Sequence, residues 1–136
     1  MKKITVPAKP EQLEIVANFV SKELELLDCP AKAQMQIAIA VEEIFVNIAN
    51  YAYHPSDGNA TILLEIEEDP LRLIVTFMDQ GVPYNPLDNP DPDITLSADE
   101  RQIGGLGIFM VKKSMDAVDY KYENNQNIFT IMKNLT

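Results

Sequence analysis

The feature that most constrains the fold is an amphipathic stretch at residues 37–53. Its apolar side chains recur at steps of three and four residues, as on one face of a helix: Ile37, Val41, Ile44 and Ile48. Polar side chains follow a second arc of the same helix: Gln36, Glu43, Asn47 and Asn50. For one helix alone, a solvated face is the simpler interpretation of this polar stripe. The rest of the chain decides whether it faces a ligand.

Composition limits the functions that are compatible with this chain. With 136 residues it is long enough for one domain, so we expect a single domain over residues 1–136. The net charge of −10 disfavours a nucleic-acid binder, which needs clustered Lys and Arg, but it leaves mononucleotides open. A single cysteine, Cys29, excludes an internal disulfide and fits a reducing compartment. No apolar run suggests a membrane span or a signal peptide, so a cytoplasmic location is expected.

The periodicities predict the element order β-α-α-β-β-loop-α-β-β. Strands are expected at 2–6, 60–68, 71–78, 118–123 and 128–132, and helices at 10–27, 37–53 and from about 103 to 115. Strands joined by short turns should pair antiparallel, and the helices should collect on one face. The fold class is therefore α/β in the α+β sense, a two-layer sandwich with a mostly antiparallel mixed sheet and three helices on one face. The Pro-rich segment at 84–103 is expected to be a lid.

The first helix has more apolar surface than one core requires. Its apolar arc spans roughly 200°, against the ~100° that packing on one core needs. A core stripe consists of Leu13, Val16, Val20, Leu24 and Leu27, and an adjoining stripe of Ile15, Phe19 and Leu26. Either the helix is covered on two sides within the domain, or the second stripe meets a partner, and a homodimer is one such assembly.

Glycines immediately before the third helix are candidates for binding an anion. Gly104, Gly105 and Gly107 allow close approach of a ligand to the backbone and leave N–H groups at a helix N-terminus, which carries partial positive charge. A tight loop-to-helix turn would require the same glycines. The segment is neither a Walker A motif nor a Rossmann fingerprint, since no Gly-Lys-Ser/Thr follows and no strand directly precedes it.

Asp79-Gln80-Gly81-Val82-Pro83 ends the strand at 71–78 with a carboxylate and a turn. Asp79 can accept a hydrogen bond from an exocyclic amine such as that of adenine. Alternatively, Asp79 only caps the turn while Gly81 supplies a positive φ angle.

Glu43 and Asn47 lie one helical turn apart. A carboxylate at this position can take a proton from a hydroxyl group or water, and an amide oxygen is a hard ligand suited to Mg²⁺. Glu42 points about 100° away and is expected on the surface.

Three motifs, in this order, resemble the histidine-kinase-like ATPase superfamily, and within it the anti-sigma regulatory factors with serine/threonine-protein kinase activity. They are Val-Glu-Glu-Ile-Phe-Val-Asn at 41–47, Asp-Gln-Gly-Val-Pro-Tyr-Asn-Pro at 79–86, and Gly-Gly-Leu-Gly-Ile-Phe-Met-Val-Lys-Lys-Ser-Met-Asp at 104–116. The resemblance covers nearly the whole chain.

The resemblance implies ATP and Mg²⁺ as cofactors. It makes Glu43 the general base that activates the attacking hydroxyl, Asn47 the Mg²⁺ ligand and Asp79 the acceptor of the adenine amino group, with Gly81 giving the base room. Backbone N–H groups of residues 104–107 (Gly104, Gly105, Leu106 and Gly107) would bind the phosphates. The implied protein partners are an anti-sigma factor antagonist, phosphorylated on Ser or Thr, and a sigma factor.

The chain departs from the family pattern in its first helix. Related kinases tend to carry an arginine there that reaches the terminal phosphate, whereas residues 15–19 contain none. Phosphoryl transfer depends on positive charge near the transition state, and Arg101 and Lys112 are the candidates to replace it. The hypotheses are accordingly an ATP-dependent protein kinase, a nucleotide-gated binding module with little or no transfer, and a scaffold that binds no nucleotide.

Overall fold

The computed structural model describes residues 1–53, 56–88 and 106–135, and all structural statements refer to these ranges. Five strands are described: β1 (Lys2–Pro7), β2 (Asn59–Glu67), β3 (Arg72–Asp79), β4 (Ala117–Glu123) and β5 (Gln126–Asn134). The helices are α1 (Leu13–Leu26), α2 (Ala31–Tyr51) and α3 (Leu106–Ser114), with short 3₁₀ turns at Pro10–Gln12 and Pro86–Asp88.

The strands form one sheet in the order β1-β2-β3-β5-β4. Every pairing is antiparallel, including the non-local pairing of β3 with β5. In that pairing Phe77 faces Phe129 and Asp79 faces Asn127. The expected α+β class is confirmed, and the sheet is more uniformly antiparallel than the mixed sheet expected from the sequence.

Alternation along the strands places one sheet face in the core. Leu73, Val75 and Phe77 of β3 are each about 1% exposed, as their period-2 spacing predicted. The inward residues of β2 (Ala60, Ile62 and Leu64) and of β5 (Phe129 and Ile131) join the same cluster. All three helices contribute buried side chains to this cluster, so they cover the same face of the sheet.

The helix α2 lies at the centre of the helical layer because its apolar stripe is long and continuous. Its buried residues include all four of the predicted stripe: Ile37, Val41, Ile44 and Ile48. It contacts α1, α3, β3 and β5. Its half-buried polar residues Glu43 and Asn47 lie beside the start of α3 and at the cleft, respectively.

The two apolar stripes of α1 have different environments. Val16, Val20 and Leu24 are buried, which confirms the core stripe. In the second stripe Ile15 is 49% exposed and Leu26 is 74% exposed, whereas Phe19 is only partly exposed and packs against the core. The domain therefore covers part of the second stripe and leaves the rest at the surface.

The predicted lid at 84–103 falls mostly outside the described residues. Its first part begins beside the sheet and includes the 3₁₀ turn Pro86–Asp88. The prediction for residues 89–103, and the predicted phosphate-binding residues Gly104 and Gly105, lie outside the described residues. Within the described ranges, no helix has both the length and the apolar character needed to cross a membrane.

Candidate functional site

An open cleft lies between α2, the end of β3, β5 and the first turn of α3. Its walls are largely apolar. The polar groups at the cleft are few and come from separate elements: Asn47 from α2, Asp79 from β3, Tyr120 from β4 and Asn127 from β5. The apolar lining residues include Ile44, Ile48, Ala52, Val82, Ile108 and Phe129. The sequence predictions Asn47 and Asp79 are thus brought to one cavity.

Asp79 is a buried carboxylate with one oxygen already used by the protein. The residue is 6% exposed. Its Oδ1 accepts hydrogen bonds from the backbone N–H of Gly81 and from Nδ2 of Asn127, each at 2.9 Å. No hydrogen bond joins Oδ2 to any residue within the described ranges. Asp79 therefore caps its own turn, as one of the two sequence interpretations had it. Its role as the acceptor of an adenine amine stays a prediction.

Burial raises the pKa of the Asp79 carboxyl above its ordinary value. The hydrogen bonds from Asn127 and from the Gly81 backbone act in the opposite direction, because they favour the charged form. A partly desolvated acceptor of this kind gains more from a ligand hydrogen bond than a solvated carboxylate would.

Asn127 is a site residue that the sequence interpretation missed. Its Nδ2 donates to Asp79 Oδ1 and to the carbonyl of Val82, both at 2.9 Å. Its Oδ1 accepts from the backbone N–H of Tyr84 at 3.1 Å and from the hydroxyl of Tyr120. One buried amide thereby joins the carboxylate in the cleft, the turn after β3 and the start of the predicted lid.

A signal for Asn127 was present in the pattern of the last strand. Phe129 and Ile131 point inward, and the same alternation makes residue 127 inward as well. A polar residue at an inward strand position is a candidate for a buried hydrogen-bond network. Because the strand was predicted to begin at Ile128, Asn127 was assigned to the preceding turn.

Gly81 is required by packing rather than by a positive φ angle. A Cβ atom at this position would overlap the carbonyl oxygen of Ala52 and lie 2.7 Å from the Ala52 Cβ. The next residue, Val82, donates its N–H to the same Ala52 carbonyl at 2.9 Å. The turn after Asp79 is thus pressed against the end of α2. The implied role of Gly81 beside an adenine ring stays a prediction.

Glu43 and Asn47 are both half-buried on the arc of α2 that faces the cleft and α3. Asn47 lines the cleft, and one turn earlier the Glu43 carboxylate lies against Gly107 in the first turn of α3. Glu42 is exposed, as predicted, and Asn50 is exposed as well, away from the residues that line the cleft. The polar stripe therefore divides into a site-facing part and a solvated part.

The start of α3 lies beside the carboxylate of Glu43. Leu106 and Gly107 begin the helix, and the first N–H groups of a helix have no intrahelical acceptor. Of the two candidate cations, Lys112 is half-buried on α3, and Arg101 lies outside the described residues.

The donor set does not form an all-protein metal site. Within the ranges that the structure describes, no group of three or more His, Cys, Asp or Glu side chains could hold a metal ion. Mg²⁺ commonly binds through one or two protein oxygens and the phosphates of a nucleotide. The single amide oxygen of Asn47, at the cleft, fits that second arrangement.

Comparisons with known proteins identify the family to which this chain belongs. Residues 6–133 match the histidine kinase-like ATPase domain, and because this match covers most of the chain, the protein belongs to the histidine kinase-like ATPase family. The family-level resemblance seen in the three motifs is therefore confirmed.

Within that family the chain is similar to bacterial serine-protein kinases. It is 31% identical over 130 residues to the serine-protein kinase RsbW of Halalkalibacterium halodurans, a match that covers 89% of this chain and 75% of the relative. It is 29% identical to RsbW of Listeria monocytogenes serovar 1/2a, covering 92% and 82%. It is 25% identical to the serine/threonine-protein kinase BtrW of Bordetella bronchiseptica, covering 74% and 70%.

A solved structure shows the same fold. The crystal structure of the RsbU and RsbW domains of Rv1364c from Mycobacterium tuberculosis superposes with a TM-score of 0.66 at 11% identity. The match covers 99% of this chain but only 33% of the solved chain. At this identity the likeness concerns the fold alone.

Proposed function

We propose that this protein binds Mg²⁺-ATP in the cleft and transfers the terminal phosphate to a Ser or Thr hydroxyl of a partner protein. The observation that carries the proposal is the buried Asp79 carboxylate at an apolar cleft, whose Oδ1 accepts two hydrogen bonds from the protein while its Oδ2 accepts none from the described residues. Membership of the histidine kinase-like ATPase family and the similarity to serine-protein kinases support it.

Asp79 would select adenine by hydrogen-bond polarity. The exocyclic amine of adenine is a donor and suits the acceptor Oδ2. Guanine presents a carbonyl oxygen at the corresponding position, so an acceptor would face an acceptor. A site built around one buried hydrogen bond rejects a ligand that leaves this group unpaired. The apolar walls, including Ile48 and Ile108, suit the faces of a purine ring.

The phosphates would extend from the cleft toward the start of α3. Asn47 would supply a protein ligand to Mg²⁺, and the backbone N–H groups of residues 104–107 would bind phosphate oxygens. The metal ion, when bound, would neutralise charge on the phosphates. The segment at 84–103 would act as the lid over them.

Glu43 would act as the general base. It would accept the proton of the attacking Ser or Thr hydroxyl as that oxygen bonds to the γ phosphorus and ADP departs. Its place one helical turn from Asn47, beside the start of α3, supports this role. No donor within the described ranges forms a hydrogen bond with its carboxylate.

The proposed protein partners are those that the resemblance of the three motifs implies. We place this chain among anti-sigma regulatory factors, with an anti-sigma factor antagonist as the phosphoryl acceptor and a sigma factor as the second partner, acting in the cytoplasm.

The exposed part of α1 is the proposed contact surface for a partner or a second copy. Ile15→Asp should weaken that association without loss of folding, whereas Phe19→Asp would also disturb the core, and light scattering with partner-binding assays would test this.

A second candidate function is a nucleotide-gated regulator with little transfer activity. The absence of arginine from α1 favours it, because Lys22 is the only basic residue of that helix and is exposed. In this alternative, nucleotide binding would tune the association with the partner.

The neighbouring carboxylates of α2 provide the experiment. Glu43→Gln should lower transfer of labelled phosphate to an anti-sigma factor antagonist by ~10²- to 10⁴-fold, the usual contribution of a general base, and keep ATP binding. Glu42→Gln, one residue away and exposed, should retain wild-type transfer. Equal rates for Glu43→Gln and wild type would remove Glu43 from the mechanism. Absence of transfer by the wild type, with ATP binding intact, would favour the nucleotide-gated regulator.

A further inference from the structure

Gly107 is a helical glycine whose missing side chain has a specific neighbour. A Cβ atom at this position would overlap Oε2 of Glu43 and would lie 2.6 Å from its Cδ and 3.3 Å from its Cγ. Real Cβ atoms do not approach other atoms as closely as the first two of these contacts. The carboxylate of Glu43 thus occupies the space that any other residue at position 107 would fill.

The nature of the neighbour distinguishes Gly107 from Gly81. A Cβ at Gly81 would meet the backbone of Ala52, which cannot move without shifting α2. A Cβ at Gly107 would meet the far end of a flexible side chain, which can rotate away. A substitution at Gly107 would therefore be tolerated by the fold but would displace the carboxylate of Glu43.

The space at Gly107 is what permits the carboxylate to lie in this place. In the part of the chain that the structure describes, no hydrogen bond or ion pair holds Glu43. The partial positive charge at the start of α3 favours an anionic group beside Gly107, but a helix end imposes no single geometry on a side chain. The absence of a Cβ at Gly107 determines how closely the carboxylate can approach the helix.

We propose that Gly107 is a positioning residue for the general base: its lack of a side chain lets the Glu43 carboxylate rest against the first turn of α3. The inference rests on the proposed function, in which Glu43 accepts the hydroxyl proton. It gives Gly107 a part distinct from the phosphate binding that the sequence motif implies for residues 104–107. The proposed base can then lie in van der Waals contact with the end of α3 that is proposed to bind the phosphates.

Gly107→Ala tests the proposal through separate effects on rate and binding. Since a displacement of about 1 Å at a reacting group can cost about 10²-fold, kcat for phosphate transfer should fall by ~10- to 100-fold. The Kd for Mg²⁺-ATP should change by less than about twofold, and the circular dichroism spectrum should be unchanged. A phosphate-binding role alone predicts the reverse, a higher Kd for ATP with kcat largely retained.

A double-mutant cycle provides the matched control. Glu43→Asp shortens the side chain by one methylene and moves the carboxylate away from position 107. In that background Gly107→Ala should lower kcat by less than about threefold, because residues in contact show non-additive effects. Equal fold-losses in the two backgrounds would overturn the proposal.

One readout does not depend on catalysis. With ¹³C-labelled glutamate, Gly107→Ala should shift the side-chain carboxyl resonance of Glu43 and leave that of Glu42 in place. If the wild type transfers no phosphate, the proposed function fails, and the shift still tests the contact between the two residues. An unchanged Glu43 resonance would overturn the inference whatever the activity.

Discussion

Nδ2 of Asn127 lies 2.9 Å from Oδ1 of Asp79, and the two residues face each other directly in the pairing of β5 with β3. The contact engages Oδ1, and no described residue forms a hydrogen bond with Oδ2. The same amide also donates to Val82 and accepts from Tyr84, so Asn127 contacts both the candidate base-binding group and the start of the predicted lid. Any change at Asn127 should therefore affect both.

Asn127→Ala tests this shared role. It removes one of the two donors to the buried carboxylate and the Asn127 donor to the Val82 carbonyl, and an unsatisfied buried group costs about 1–3 kcal/mol. We expect a loss of that size in the free energy of unfolding, weaker ATP binding, and faster amide exchange at Tyr84.

Asn134→Ala is the matched control, because Asn134 lies on the same strand with its side chain exposed. Its effect on the free energy of unfolding should stay within about 0.5 kcal/mol. Equal effects of the two substitutions would contradict the role of the Asn127 network.

At neutral pH, Asp79→Asn should raise the free energy of unfolding and weaken the binding of ATP. Burial raises the pKa of Asp79, so the folded chain retains this proton at pH values where the unfolded chain has released it. The stability due to this group is fully present below the unfolded pKa, about 4, and is lost as the pH rises through the folded pKa. Asparagine does not ionise, and its Oδ1 can still accept from Gly81 and Asn127.

The stability of Asp79→Asn relative to wild type should therefore increase as the pH is raised from about 3 to 7. Urea unfolding at several pH values measures this difference. Asp119→Asn, an exposed change on β4, controls for the loss of one negative charge. A relative stability that decreases over the same interval would show that the carboxylate is favourably placed when ionised.

Gly81→Ala should destabilise the fold. The added Cβ would overlap the Ala52 carbonyl oxygen and would weaken the hydrogen bond that this oxygen accepts from Val82. Overpacking of this kind costs about 1–3 kcal/mol. Gly107→Ala is the comparison, since its Cβ meets only the end of a side chain, and it should cost clearly less. Chemical denaturation of both variants checks the order, and the reverse order would contradict the packing described for the two glycines.

The parts of the fold that the sequence predicted are those with a periodic pattern inside a single helix or strand. The stripe from Ile37 to Ile48 and the alternation of Leu73, Val75 and Phe77 lie within single elements, so their periods identify the elements and their buried faces. Asp79 and Asn47 were identified for the same reason, because each is a polar residue at a distinctive position within one element: the end of a strand and the polar arc of a helix. Their roles, like that of Glu43, stay predictions.

The contacts that build the site were not predictable from such patterns. Asn127 meets Asp79 only because β5 pairs with β3 across 48 residues of sequence, and one sequence gives no register for a non-local pairing. Gly107 meets Glu43 only because α3 packs on α2. The local glycine pattern indicated a close approach at this position but did not identify which group would approach.

The most direct test of the central claim is a thermal-unfolding scan of wild type and Asp79→Asn with Mg²⁺-ATP, Mg²⁺-ADP and Mg²⁺-GTP. A ligand that binds only the folded state stabilises it by about 2.7 kcal/mol at a hundredfold excess over Kd. Both adenine nucleotides should raise the melting temperature of the wild type, GTP should raise it less, and Asp79→Asn should lose most of the response to ATP. A flat scan of the wild type at millimolar nucleotide, or an ATP response that Asp79→Asn retains in full, would contradict an adenine nucleotide site at Asp79.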